Sequence, residues 1–418
     1  MRVVFSCFCY LMCLFAPSEA RSDQTTSFEL RDGDRIVFLG DTLIERDQRY
    51  GYLETLLTFA NPDKDLIFRN LGWSGDTVGG ISRAGFDPPE AGFEQLRQQL
   101  AAVKPTVVVV GYGMADSFKG EVGLPAFEKG LNRLVNVIDS LRARVALISP
   151  VAHADLGRPL PDPAGHNREL ERYRNVIVKV AVERKIAFVD LFEFFEKEYA
   201  RGREYRLSLT PNGVHLNDAG YRAAAWRIGQ QFGDDRALAG CRVKLGHDGK
   251  VIAQERSRVS QVSTTPRGLR FEMIDDHLPM PALAVSGAAA GKDESARMVS
   301  VRGLMPGSYE LKIDGTVASS ALGTAWDQGV TLKRGPEFEQ VEKLRAAINR
   351  KNELFFYRWR PQNNTYLFGF RKHEQGNNAV EIPQFDPLVA EQEKMIAQLK
   401  KPIAHVYELS RLEREVGR

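Results

Sequence analysis

The run Val107-Val108-Val109-Val110 constrains the fold more than any other stretch. With Thr106 it is an unbroken β-branched segment that offers no polar face to water, so it predicts a strand covered on both sides. Such a strand needs helices above and below it, and the flanking sequence supplies them. Ile36–Leu39, Leu66–Leu71, Val145–Ile148 and Ile186–Val189 read as further strands. Tyr52–Phe59, Phe93–Val103, Leu124–Leu141, Glu169–Glu183 and Ala219–Phe232 carry apolar residues at helical spacing. Lys104-Pro105 stops one of these helices, and Pro125 sits in the first turn of the next. Alternation from Phe28 to about Phe232 implies a parallel sheet with helices on both faces. Right-handed crossovers then leave few topologies.

Beyond Phe232 the alternation stops. Cys241–Glu255, Val262–Met273 and Met298–Ile313 read as strands separated by Gly, Pro and Asp turns. They predict an antiparallel, sandwich-like unit over residues 236–335, after an α/β domain over 21–235. Ala284–Ser295 is a small-residue connection inside that unit. Residues 336–418 are expected to form a helix (Glu337–Arg350) and a return strap packed on the α/β domain. Leu354–Arg360 and Thr365–Phe370 interleave aromatic residues with arginine, which suits a packing seam or a sugar-binding face. The seam is the commoner use of such residues.

The formal net charge is only +3 over 418 residues, with no block of Lys or Arg, which argues against a nucleic-acid partner. Arg2, the apolar run Val3–Phe15 and Ser18-Glu19-Ala20 fit a secretory signal peptide (residues 1–20) cut after Ala20. The run is short for a membrane span. The expectation is therefore an exported protein, periplasmic or secreted, without a stable membrane anchor. Cys7, Cys9 and Cys13 would leave with the signal, so Cys241 remains alone as a small buried hydrophobe. Nothing in the composition sets the oligomeric state.

Three Gly-containing segments each follow a strand: Gly40-Asp41-Thr42, Trp73-Ser74-Gly75-Asp76 and Gly111-Tyr112-Gly113-Met114. They gather on the carboxyl rim of the sheet, where open α/β folds hold ligands. His215 lies in a Pro/Asn/Gly loop before the last helix and reaches the same rim. His153-Ala154-Asp155 and His166-Asn167 lack the spacing of a metal site, and no dinucleotide or phosphate-loop fingerprint is present, so neither metal nor cofactor is expected.

Gly40-Asp41-Thr42-Leu43 resembles the Gly-Asp-Ser-Leu block of SGNH/GDSL-type esterases. Asn70–Thr77 is similar to their second block, Gly113-Met114-Ala115-Asp116 to their Gly-x-Asn-Asp block, and Asn212-Gly213-Val214-His215 to their Asp-x-x-His block. Residues Phe355–Pro361 and Gly369–Pro387 resemble the long extension of exported, planctomycete-type members. The resemblance implies a flavodoxin-like three-layer α/β/α domain that cleaves acyl esters of a small molecule or polysaccharide. It implies Thr42 as nucleophile, His215 as base, and the N–H groups of Thr42 and Gly75 as oxyanion donors.

Three positions depart from the family pattern: Thr42 for serine, Ala115 for asparagine and Asn212 for aspartate. The threonine methyl restricts χ1 and crowds the attacked carbonyl. Loss of one oxyanion donor typically costs about 10²–10³ in rate, and an amide in place of the orienting carboxylate costs about 10⁴ in serine proteases. Asn212, Asp41, Met114 and Asp116 are candidates for orienting or ligand contacts. Asp76, Asp116 or Asp218 are candidate replacement acids, Ser74 or Ser117 replacement hydroxyls, and His373 or Glu374 groups the strap could deliver. Arg46, Tyr50, Arg83 and Trp73 suit a polar, sugar-sized pocket, although each type is individually more often exposed or packed. Two readings stand: an ester hydrolase with an atypical site, and a degenerate protein of the same fold that binds carbohydrate or a protein partner.

Overall fold

β1 (Arg35–Gly40) pairs in parallel with β2 (Ile67–Asn70) on one side and β3 (Val107–Gly111) on the other. β4 (Arg144–Ile148) and β5 (Ala187–Val189) extend the sheet, giving the order β2-β1-β3-β4-β5. That is the flavodoxin-like order, with its switch point between β1 and β3. The computed structural model describes residues 28–205, 208–232, 239–281, 296–374 and 378–413. The expected signal peptide with its cysteines, and the connection at 284–295, lie outside the described residues.

All five residues of β3 are buried, as an unbroken valine run requires. Ile36, Phe38, Val107 and Val109 face one apolar cluster, and Val37, Leu39, Val108 and Val110 face another. The first cluster takes α2 (Tyr52–Phe59) and α7 (Asp218–Phe232); the second takes α3 (Ala91–Ala102), α4 (Leu124–Ser140) and α5 (Ala164–Arg184). Two helices were not expected. α1 (Thr42–Tyr50) follows β1 directly and is separated from α2 only by Gly51, which adopts φ 67°. α6 (Leu191–Tyr205) follows β5. α5 also begins earlier than its apolar spacing suggests, so His166 and Asn167 lie within its first turn.

The expected antiparallel unit is more mixed than predicted. β6 (Arg242–Gly246), β7 (Val251–Glu255), β10 (Arg297–Arg302) and β13 (Val330–Leu332) form one sheet, in which β6 and β10 run parallel. β8 (Ser257–Thr265), β9 (Gly268–Asp275), β11 (Ser308–Ile313) and β12 (Thr316–Leu322) belong to the second sheet. Its central strand is β14 (His405–Arg411), hydrogen-bonded between β9 and β11. The end of the chain therefore completes the β unit rather than lying on the α/β domain.

The segment between the two does pack on the α/β domain. A single helix, Pro336–Trp359, runs nine residues past the expected end and buries Val341, Leu344 and Ile348 in the first cluster and Leu354 and Phe355 in the second. The aromatic segment thus begins as a packing seam. Lys351, 1% exposed, donates from Nζ to Glu54 Oε1 at 2.5 Å and to the Phe68 carbonyl at 3.1 Å. Burial pushes the Lys351 ammonium below its ordinary pKa, and Glu54 opposes that shift. Removing one partner of such a pair strands the other charge in an apolar site, at a cost of about 3–5 kcal/mol. Lys351→Ala should lower unfolding stability by that amount in denaturant titrations, whereas exposed Arg350→Ala should change it by less than about 1 kcal/mol.

Candidate active site

Asp41 caps α1, accepting from the Leu43 N–H at 3.2 Å, while its own N–H donates to the Gly111 carbonyl at 3.1 Å. Its second oxygen accepts from the Met114 N–H at 3.2 Å, so one carboxylate ties the exits of β1 and β3 together. The role is structural support beneath the rim. Burial pushes the Asp41 carboxyl up to about 7, and nearby Asp116 adds to the rise.

Thr42 is the first residue of α1, where the helix presents unpaired N–H groups. Its Oγ1 accepts from the Gly75 N–H at 3.1 Å. Gly75 has φ +73°, a conformation that favours glycine, and the turn carries its N–H towards the threonine. The loop also needs Gly72, because a Cβ there would stand 2.2 Å from the Glu45 backbone nitrogen. Asn70 fixes the approach: its Oδ1 accepts from the Gly72 N–H at 2.8 Å, and its Nδ2 donates to the Ile44 carbonyl at 2.7 Å.

His215 is held by a loop built from side-chain acceptors. Thr210 Oγ1 accepts from the N–H groups of Asn212 and Gly213, and the Ala154 N–H donates to the Gly213 carbonyl at 2.7 Å. Asn212 Oδ1 accepts from the N–H groups of Val214 at 3.1 Å and His215 at 2.9 Å. Its oxygen is thereby committed, which leaves the amide Nδ2 facing His215 Nδ1 at 2.9 Å. An amide N–H can only donate, so Nδ1 is the acceptor and Nε2 carries the ring proton. A carboxylate at this position would favour the opposite tautomer. Burial lowers the His215 pKa, and the Arg46 charge lowers it further.

Thr42 and His215 line one narrow cleft together with Asp41, Met114, His153 and Tyr221. Most of the expected substitute groups are engaged elsewhere. Asp76 is buried against Arg83 Nε at 2.7 Å and the Tyr112 hydroxyl at 3.0 Å. Asp116 accepts from the Val78 N–H at 3.3 Å, with burial pushing its carboxyl up to about 7; it braces the second loop and does not reach His215. Asp218 accepts from the Tyr52 hydroxyl at 2.9 Å. Ser117 donates to the Met114 carbonyl at 2.7 Å, and exposed Ser74 uses its N–H on Glu45. Glu374 pairs with Arg371 on the surface, and His373 beside it is exposed.

Of the four residues offered for a sugar-sized pocket, Arg46 lies near enough to His215 for its charge to act there, and the other three are engaged in packing. Arg83 is buried beneath the second loop, Tyr50 stacks on Tyr221 at 4.5 Å, and Trp73 carries Arg360 over its ring at 3.6 Å. Sequence reasoning considered His153 only as a metal ligand. The structure puts it in the cleft wall, and among the described residues no three His, Cys, Asp or Glu side chains form a metal-holding group. The available signal was its place just past the carboxyl end of β4.

A three-layer α/β/α domain with a hydroxyl, an imidazole and a loop N–H on its carboxyl rim has the plan of an acyl hydrolase. Residues 33–223, which span most of the α/β domain, match the GDSL-like Lipase/Acylhydrolase family. No curated protein matches the chain. Among solved structures it is similar to BT4096, a gut microbial diltiazem-metabolizing enzyme, at 16% identity and a TM-score of 0.73, covering 93% of this chain and 100% of that one. It is also similar to Axe2, an acetylxylan esterase from Geobacillus stearothermophilus, at 20% identity and a TM-score of 0.39, covering 49% of this chain and 95% of that one. The first likeness shows that the shared fold extends through the β unit and the return segment.

Nitrogen-15 NMR of the imidazoles tests the site directly. His215 should show protonated Nε2 and unprotonated Nδ1 at neutral pH and titrate below 6.5, and Arg46→Gln should move that midpoint upward. A neutral ring protonated at Nδ1 would mean that Asn212 faces it with oxygen.

Proposed function

We propose that the chain is an exported ester hydrolase that works through Thr42 and His215. The observation that carries the reading is the hydrogen bond from the Gly75 N–H to Thr42 Oγ1, in a cleft that also contains His215. Thr42 Oγ attacks the acyl carbon while its proton passes to His215 Nε2, and the carbonyl oxygen becomes an oxyanion facing the N–H groups of Thr42 and Gly75. Collapse expels the alcohol, which takes the proton from His215 and leaves an acyl-threonine ester. Water activated by the same imidazole then releases the acid and restores Thr42.

The slow element is the tautomer. His215 must lose the Nε2 proton before it can receive one from Thr42, and the alternative tautomer sets Nδ1–H against the Asn212 amide. The exchange of carboxylate for amide lowers turnover about 10⁴-fold in serine proteases for the same reason. We place the protein outside the cytoplasm on the strength of Arg2, Val3–Phe15 and the Ser18-Glu19-Ala20 site. A carbohydrate alcohol is the proposed leaving group, supported by export and by the polar rim beside Gly75, where Arg360 meets Glu45 at 2.9 Å.

A second reading, a binding protein that keeps the fold without turnover, is favoured by the Asn212–His215 contact itself. Short-chain acyl esters separate the two. Wild type should hydrolyse them slowly, Thr42→Ala and His215→Ala should fall to background, and Asn212→Asp should raise kcat by about 10²-fold or more. Background rates in wild type and Asn212→Asp alike would favour the binding protein.

A further inference from the structure

His153 is a cleft residue whose chemistry neither reading uses. It follows β4 in Pro150-Val151-Ala152-His153, and its ring shares the cleft wall with Thr42, Met114 and His215. The side chain is deeply buried, at 8% exposure for the residue, and its Nε2 is enclosed with no hydrogen-bond partner among the described residues. A buried, unpaired polar atom carries a cost of about 1–3 kcal/mol, which a ligand can relieve.

The surroundings hold this ring in one place. Asn167 grips the His153 backbone from both sides, accepting from its N–H at 2.8 Å and donating to its carbonyl at 2.9 Å. His166 stacks on the imidazole with ring centroids 5.0 Å apart and planes 16° from parallel. His166 in turn meets Ser117 Oγ at 3.1 Å, and that hydroxyl donates to the carbonyl of Met114 on the same cleft wall. Two loops and the first turn of α5 thus fix His153 before any ligand arrives.

Burial, with His166 and His215 nearby, pushes the His153 pKa down to about 4. The ring is therefore a neutral imidazole near pH 7, a poor base but a sound N–H donor. Meanwhile Ala115 stands where the family pattern has its donor asparagine, leaving the oxyanion site one side-chain N–H short. A preorganised donor in a water-poor cleft acts most strongly on an oxygen that gains charge during the reaction.

We propose that His153 donates an N–H to the acyl carbonyl oxygen of the substrate and thereby supplies the oxyanion donor that Ala115 cannot provide. This rests on the hydrolase reading of Thr42 and His215. It assigns the residue to the developing negative charge rather than to proton transfer.

The test is steady-state hydrolysis of a short-chain acyl ester by the full chain, with Asn212→Asp as parent so that rates are well above background. His153→Phe keeps an aromatic ring against His166 and removes both nitrogens; it should lower kcat about 10²-fold with KM nearly unchanged. His153→Gln keeps a donor and should stay within about tenfold of the parent. Adding Ala115→Asn to His153→Phe should raise kcat again by about tenfold or more.

Melting temperatures of all variants identify misfolding. Parental kcat in a folded His153→Phe overturns the inference. So does an equal drop in His153→Phe and His153→Gln without recovery by Ala115→Asn, which marks a packing residue. Thr42→Ala in the same parent is the control for the underlying reading: if it retains activity, Thr42 is not the nucleophile and both proposals fall. If Thr42→Ala is inactive while His153→Phe is unimpaired, only the His153 assignment falls.

Discussion

The rim depends on the buried carboxylate of Asp41. It accepts N–H groups from Leu43, at the start of α1, and from Met114, beyond β3, and so fixes two strand exits relative to each other. Those exits carry Thr42 and the loop that holds Ala115. Burial raises the Asp41 pKa because a carboxylate without solvent is costly, yet the N–H donors keep that rise in check. Asp116 repeats the device one loop away, accepting from Val78. The charge of Asp116 opposes ionisation of Asp41, and both acids turn their oxygens to backbone donors rather than to His215. An acidic residue near a catalytic rim is therefore no substitute for an orienting aspartate unless an oxygen remains free.

The parallel sheet and its rim were legible because their signals are local. A β-branched run identifies β3, glycine and proline punctuate the loops, and alternation restricts topology. Thr42, Gly75 and His215 could be picked out because each sits in a short motif at a strand end or in a loop. The pairing of β14 between β9 and β11 was not legible. It joins His405 to Met273 and Tyr309 to Arg411, across sequence separations over which neither periodicity nor turn chemistry carries information. The parallel pairing of β6 with β10 was hidden for the same reason. α1 was hidden because its polar sequence, Glu45 to Arg49, has few apolar markers, and its cap and tertiary packing decide the conformation. His153 was visible as a residue but not as a cleft group, since its neighbour His166 arrives from another element.

Asn212 shows how one atom changes the chemistry of an otherwise unaltered geometry. Both an aspartate and an asparagine can accept the N–H groups of Val214 and His215, so the loop conformation is indifferent to the exchange. The difference lies wholly in the second atom of the side chain. Oxygen would accept from Nδ1–H and leave Nε2 free to take a proton; nitrogen donates to Nδ1 and leaves Nε2 protonated.

The return segment bears on the rim through charge and stacking, not by delivering a catalytic group. Arg360 lies over Trp73 at 3.6 Å and pairs with Glu45, while Glu45 also accepts the Ser74 N–H at 2.5 Å. The loop that presents Gly75 is thus clamped from outside by a residue far along the chain. Lys351 anchors the same helix from within, against Glu54 and the Phe68 carbonyl of β2. Anchor and clamp both lie on or just past Pro336–Trp359, and the chain then returns to fill the centre of the second β sheet. Removing that helix would therefore free the second loop and disturb the β unit together. On this architecture the extension is part of the scaffold that holds the cleft, and the α/β domain is not expected to keep its rim geometry alone.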